Sequence, residues 1–331
     1  MGSFHVWFLD TVHPALQQRL EDAGMTCHDA TRVTREELLK AGADPQAPPV
    51  HGLVIRSRIA LDAAVFDALP ALQWVARSGS GLENIDLEAA RSRGVVVHSS
   101  PEGNQDAVGE HTVGMLLNVL NRMQSGDASI RGHRWDREAH RGRELKSLTV
   151  GIVGYGHMGS AFAERLSGFG CRVMAYDKHK PGWGENPAVD RPLPHVEPVG
   201  LESLRNCADV VSLHLPWTAE TRGLANEAWF SAFAKPIVLL NTARGAVVST
   251  QALLDALDRG RVTDACLDVL EYEGPSLEAL DGLKHDANRA AFERLLRHPH
   301  VLLSPHVAGW TVESYEKLST VLADKILGRR P

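Results

Sequence analysis

Long apolar runs are missing from this 331-residue chain, and no stretch approaches the ~20 residues that a membrane-spanning helix needs. No membrane span is expected. Cysteine is scarce: Cys27, Cys171, Cys207 and Cys266 stand far apart, without the paired spacing of a zinc site, a redox pair or a disulfide framework. They read as buried free thiols in a reducing compartment, and no metal is expected. Basic blocks are missing too. The net charge is −6 with both signs dispersed, which argues against a nucleic-acid surface. The opening MGSFHVWFLD has neither the basic region nor the cleavage site of a signal peptide, and Gly2-Ser3 lacks the full myristoylation pattern. It reads as a first strand, and a cytoplasmic protein is expected. Internal repeats at solenoid spacing and low-complexity tracts are absent as well.

What is present is ordinary globular composition, 44% apolar and 23% charged, in a chain long enough for two domains. One stretch organises the rest. Thr149 to Asp177 reads TVGIVGYGHMGSAFAERLSGFGCRVMAYD, a strand, a glycine turn, a helix and a second strand. Gly154 allows the tight turn, Gly156 lets the backbone approach a pyrophosphate, and Gly159 lets the helix pack closely on the strand. The N–H groups opening the helix then face the negative charge. Asp177 ends the second strand, where a carboxylate accepts from a ribose diol and repels a 2′-phosphate. The pattern predicts a dinucleotide site for NAD rather than NADP.

Short apolar runs alternate with helical patterns elsewhere. Phe4 to Leu9, Leu53 to Ile55, Trp74 to Ala76 and Val95 to Val97 read as strands, with helices over Pro14 to Ala23, Asp62 to Leu69 and Asp86 to Arg93. Pro101 to Asn104 closes this lobe, and Ala107 to Leu120 is a long helix into the next. Further strands are expected over Ala208 to His214, Ile237 to Leu240, Ala265 to Val269 and His300 to Leu303. Helices are expected over Leu201 to Asn206, Ala252 to Leu257 and Thr311 to Leu327. Ala43 to Pro49 and Pro181 to Pro198 read as loops. Ser125 to Leu145, rich in Arg, His and Gly around Trp135, is too polar for a core and reads as a partner-subunit surface or an exposed excursion. The rhythm predicts parallel sheets covered on both faces.

In such sheets ligands meet the carboxyl ends of the strands. Two turns of the first lobe lie there: Arg56-Ser57-Arg58, whose arginines could hold a phosphate or carboxylate or simply be solvated, and Ser78-Gly79-Ser80-Gly81. In the second lobe Arg244, Glu273 and His306 each follow a strand. A histidine exchanges protons near neutrality, a neighbouring carboxylate favours and orients its charged form, and an arginine grips a 2-oxo carboxylate through a bidentate fork. His214 also ends a strand and competes as acid or base, although the Leu215-Pro216 continuation suggests backbone contact with the cofactor.

Seven segments stand in order that together resemble the NAD-dependent D-2-hydroxyacid dehydrogenases: SGSGLENID (78–86), GNQDAVGEH (103–111), TVGIVGYGHMG (149–159), HLPWTAET (214–221), NTARG (241–245), LDVLEYE (267–273) and SPHVAGWT (304–311). The resemblance implies an α/β protein of two doubly wound parallel-sheet lobes. One is a discontinuous, flavodoxin-like substrate domain (1–103 with 308–331); the other is a Rossmann cofactor domain (104–307), with the active site in the cleft between them. It implies Arg244, Glu273 and His306 as catalytic residues, and Asp268 near the nicotinamide amide. Ser80, Val108, His157, Met158, His214, Leu215, Pro216, Thr221, Thr242, Ala243, Ala308 and Gly309 are implied along the cofactor, besides the three glycines and Asp177. Ser78 and Gly79 amides, with Asn104 close by, are implied at the substrate carboxylate.

A homodimer through the segment after the crossover helix is also implied. IRSR at 55–58 is most similar to the D-3-phosphoglycerate dehydrogenase branch, where arginines meet the substrate phosphate and the reaction serves serine biosynthesis. Reduction of glyoxylate or hydroxypyruvate, oxidation of 4-phosphoerythronate and a corepressor-like NAD sensor are the alternatives. Two departures stand out: the proline usual after the catalytic glutamate is displaced to Gly274-Pro275, and 276–298 is a longer, charged insertion. With the chain ending soon after its return helix, no serine-sensing regulatory domain is expected.

Overall fold

A computed structural model describes residues 3–41, 48–180, 192–274 and 280–328. They form two compact units. The first runs to Asn104 and resumes at Trp310; the second takes Gln105 to Gly309.

In the first unit the strands are β1 (Phe4–Phe8), β2 (Met25–Asp29), β3 (Gly52–Ile55), β4 (Trp74–Arg77) and β5 (Val96–Ser99). Helices α1 (Pro14–Asp22), α2 (Arg35–Ala41), α3 (Ala63–Ala68) and α4 (Leu87–Ser92) alternate with them. All five strands pair in parallel, in the order β2-β1-β3-β4-β5, so the order reverses between β1 and β3. Short helices start where the sequence supplies an acceptor: Asp62 takes the Val65 N–H and Asp86 the Ala89 N–H. β3 is buried at every position, as a central parallel strand covered on both faces must be.

The chain passes into the second unit inside α5 (Pro101–Leu120), and α6 (Met123–Arg131) follows. The second unit then builds β6 (Thr149–Val153), α7 (His157–Leu166), β7 (Arg172–Tyr176), β8 (Val196–Pro198), α8 (Leu201–Cys207), β9 (Val210–Leu213) and α9 (Glu227–Ser231). After these come β10 (Ile237–Asn241), α10 (Thr250–Asp258), β11 (Val262–Leu267), α11 (Asp286–Arg297) and β12 (Val301–Leu303). Its sheet runs β8-β7-β6-β9-β10-β11-β12, all parallel, and reverses between β6 and β9. This is the dinucleotide-binding order with one further strand. Apolar clusters fill both faces: Leu213, Leu239, Leu253 and Trp229 on one, Leu116, Ile152, Phe162 and Leu240 on the other.

The last helix, α12 (Val312–Ile326), returns to the first unit. Its Leu322 and Ala323 complete a core face with Leu16 and Leu20 of α1, Val6, Val54 and Trp74. Thr311 opens it with a reciprocal cap: its side chain accepts from the Ser314 N–H, and the Ser314 hydroxyl oxygen accepts from the Thr311 N–H.

Several expectations change. Pro101 to Asn104, at which the first unit ends, forms the first turn of α5; Pro at the first helical position needs no intrahelical N–H partner. Val196–Pro198, read as loop, pairs with β7 as an edge strand, where a proline costs no ladder bond on its outer side. Of that stretch, 181–191 lies outside the described residues, as does most of the expected loop at 43–49. β2 and α2 carry no apolar run long enough to announce them. The charged insertion contains α11, of which Leu295 alone is fully buried. Only Cys266 among the four free thiols is buried; Cys27, Cys171 and Cys207 are half-buried. No described helix is long and apolar enough to cross a membrane, and no group of three His, Cys, Asp or Glu among the described residues could hold a metal.

Candidate active site

Each glycine of the β6–α7 turn has a different physical reason. Gly154 has φ +91°, and a Cβ there would lie 2.4 Å from the His214 carbonyl oxygen. A Cβ on Gly159 would lie 2.1 Å from the Gly154 carbonyl oxygen, so glycine is what lets α7 sit on the turn. Around Gly156 no atom of the described residues beyond its chain neighbours comes within 4 Å of an added Cβ. That room is what a bound pyrophosphate needs, and the N–H groups at the start of α7, from His157 and Met158, point where an anion is stabilised. Asp177, at the end of β7, accepts from the Tyr155 N–H at 2.8 Å and the His179 N–H at 2.9 Å. A carboxylate has about four lone-pair sites, so capacity for a ribose diol remains. The residues fit a dinucleotide.

The loop after β9 is tied internally. Thr221 donates its hydroxyl to the Pro216 carbonyl at 2.6 Å. His214 pairs through Nε2 with the Ser212 hydroxyl at 2.8 Å, while its Nδ1 is shut from solvent without a partner among the described residues. Burial pushes its pKa down to about 3. It stays neutral at physiological pH, which removes it as a competing acid.

Sheet register sets the remaining groups on adjacent strand ends. Asn241 of β10 lies beside Leu267 of β11, and Leu267 beside Leu303 of β12. Arg244, Asp268 and His306 therefore leave neighbouring strands one to three residues beyond a shared row. The buried Asn241 shapes its turn: its Oδ1 accepts from the Ala243 N–H at 3.1 Å, and its Nδ2 donates to the Arg244 carbonyl at 3.0 Å. Thr242 meets Thr112 of α5 at 3.0 Å between hydroxyls. A Cβ on Gly245 would lie 1.9 Å from the Leu270 carbonyl oxygen, so glycine lets the turn bearing Arg244 close against the turn bearing Glu273.

Glu273 and His306 come together. One Glu273 oxygen accepts from the Leu270 N–H at 2.7 Å and the other faces His306 Nδ1 at 2.7 Å. The carboxylate thus holds a proton on Nδ1 and leaves Nε2 for exchange. His306 has φ +54°, a strained conformation for a residue with a Cβ.

Asp268 lies inside the fold. Its side chain has no exposed surface, and it accepts from the Ser304 hydroxyl at 2.5 Å, the Val307 N–H at 2.9 Å and the Ala308 N–H at 2.8 Å. Val108 and Ala308 are likewise buried.

In the first unit the Arg56-Ser57-Arg58 turn divides its work. Arg58 donates to the carbonyls of Leu9 at 2.5 Å and Val33 at 2.8 Å, and lies 3.4 Å from Asp10. That binds it to the fold rather than to a ligand. Arg56 lies over the Trp310 ring at 4.4 Å, with its backbone N–H on Asp10. The Ser78 N–H donates to the Ile55 carbonyl at 2.9 Å, and the Gly79 N–H to the Ser100 hydroxyl at 3.3 Å. Ser80 donates to Asn104 at 2.8 Å. Asn241 and Ser304 lie within the family-like segments, but their work depends on contacts made by turns, which spacing alone does not show.

Comparison with known proteins gives a consistent picture. Residues 113–308 match the family model described as D-isomer specific 2-hydroxyacid dehydrogenase, NAD binding domain. A D-3-phosphoglycerate dehydrogenase of Mycobacterium tuberculosis is 34% identical over 292 residues, 88% of this chain and 50% of its own length. This chain spans about half the length of the curated phosphoglycerate dehydrogenases it matches. A glyoxylate reductase of Thermofilum pendens is 33% identical over 95% of this chain and 87% of its own. The structure of a D-lactate dehydrogenase from Aquifex aeolicus, complexed with NAD and lactic acid, superposes with TM-score 0.77 at 26% identity, over 98% of this chain and 94% of that one.

Proposed function

This chain belongs to the D-isomer specific 2-hydroxyacid dehydrogenase family, with NAD as the cofactor of its 113–308 domain, and on that premise we propose that it interconverts a small D-2-hydroxy acid and its 2-oxo acid. The observation that carries the reading is the 2.7 Å pair of His306 Nδ1 and Glu273, on the same edge of the sheet as the glycine turn. Bound NAD supplies the acceptor or donor of hydride. His306 Nε2 gives its proton to the carbonyl oxygen in reduction and takes the hydroxyl proton in oxidation. Glu273 stabilises the imidazolium that holds that proton. Arg244 grips the substrate carboxylate. Gly154, Gly156 and Gly159 with the α7 amides hold the pyrophosphate, and Asp177 the ribose. We assign 1–103 with 308–331 as the substrate domain and 104–307 as the NAD domain.

For the substrate, 3-phosphoglycerate is favoured, as in serine biosynthesis, with Arg56 as the phosphate ligand. Glyoxylate or hydroxypyruvate is the second reading. It is favoured by the ties of Arg58 to Leu9 and Val33, which leave one arginine of the turn rather than two. NADH oxidation with phosphohydroxypyruvate, hydroxypyruvate and glyoxylate tests both. Arg56→Ala is expected to raise KM for the phosphorylated acid by about tenfold or more, the scale of a lost charge-assisted bond, and to leave the others unchanged. Equal losses on all three acids would remove the phosphate role. Tight NADH binding without any turnover would favour a sensor.

A further inference from the structure

Asp268 surrounds His306 with bonds from both sides. Its carboxylate holds the N–H groups of Val307 and Ala308, and its carbonyl accepts the His306 N–H at 2.7 Å. The Ser304 hydroxyl reaches the same carboxylate at 2.5 Å. A carboxylate only accepts, so the single Ser304 proton points at Asp268 and the serine oxygen turns its lone pairs elsewhere. His111 Nε2, on α5, lies 3.0 Å from that oxygen and 3.6 Å from the Asp268 carboxylate. Proton counting along the line therefore places the His111 hydrogen on Nε2. The chain of donors runs His111, Ser304, Asp268, and it ends on the loop that keeps His306 at φ +54°.

We propose that His111 is a positioning residue for the oxidoreduction: acting through Ser304, its Nε2–H fixes Asp268 and with it the left-handed turn that presents His306 to the substrate. This rests on the acid–base reading of His306. A left-handed conformation strains a histidine and persists only where its surroundings over-determine it. Among the bonds of the Asp268 carboxylate, the Ser304 hydroxyl is the one reached from α5. Loosening it frees the turn without breaking the bonds of Glu273 to Leu270 and His306 or altering the β6–α7 glycine turn.

The test uses His111→Phe, His111→Gln, Ser304→Ala and the Phe/Ala double variant, with kcat and KM for NADH and the best 2-oxo acid. Phenylalanine keeps a ring without a donor, whereas glutamine restores an N–H near the Nε2 position. H111F is expected to lower kcat about tenfold with KM for NADH within about twofold, and H111Q to recover most of it. The double variant is expected to be no worse than S304A, because the two act on one line. Nitrogen-15 imidazole resonances of the wild type are expected to report the Nε2–H tautomer.

Unchanged kcat in H111F, equal impairment in H111Q, additive losses or an Nδ1–H tautomer would each overturn the proposal. If H111F does not fold, S304A with the tautomer measurement decides it, and an unimpaired S304A then overturns it. A wild type that turns over none of the acids removes the proposed function, while the tautomer still judges the relay.

Discussion

At the scale of single residues, two histidines that both end strands are separated by their surroundings. His306 has a carboxylate on Nδ1, while His214 has a serine on one nitrogen and none of the described residues on the other. Spacing could not tell them apart, because both follow an apolar run. Burial of His214 has a measurable consequence. Its folded pKa, about 3, lies below the unfolded value near 6.5, so below pH 6.5 the unfolded chain takes up a proton that the folded chain refuses. Stability is therefore fully present above about pH 6.5 and lost as pH falls toward 3. At roughly 1.4 kcal/mol per pH unit, the loss from pH 6.5 to pH 5 is about 2 kcal/mol. Denaturant unfolding of His214→Phe is expected to lack that part of the acid slope; an unchanged slope would mean that the imidazole titrates in the fold.

At the scale of elements, the β6–α7 turn was readable from sequence because glycine requirements are local. Two substitutions separate its reasons. Gly159→Ala sets a methyl 2.1 Å from a backbone oxygen and pushes α7 off the turn, which is expected to cost about 1–3 kcal/mol of stability along with NADH affinity. Gly156→Ala meets no atom of the described residues beyond its chain neighbours and has φ −89°, so stability is expected to hold while NADH binding weakens at least about tenfold, since the methyl occupies the space of the pyrophosphate. Thermal unfolding beside fluorescence titration with NADH reads both. Equal behaviour of the two variants would refute the distinction. The elements the sequence hid are β2, β8 and α11, whose composition is mixed.

At the scale of the whole molecule, the surface of α6 and the residues after it bears on assembly. Trp135 is 82% exposed, and Met123 and Ile130 are about half exposed. We propose that this segment joins two copies rather than being only an exposed excursion. Trp135→Glu is expected to convert a dimer to monomers in analytical ultracentrifugation, because a charge buried in an apolar interface is strongly disfavoured. A wild type that sediments as a monomer would end that reading.

The sequence by itself determined the alternation of strands and helices, the parallel sheets, the glycine turn with Asp177, and the order of the family segments. Those follow from periodicity and backbone sterics, which act over a few residues. Only the tertiary structure decided what polar side chains do, because that depends on which turns meet at the ends of neighbouring strands. It turned Asp268 inward onto the His306 loop and tied Arg58 to backbone carbonyls. It gave the Ser78 and Gly79 amides partners within their own unit, and it set Glu273 against His306. A hydrogen bond forms between groups about 3 Å apart, and positions as distant in sequence as 111 and 304 reach that separation only when α5 and β12 are packed.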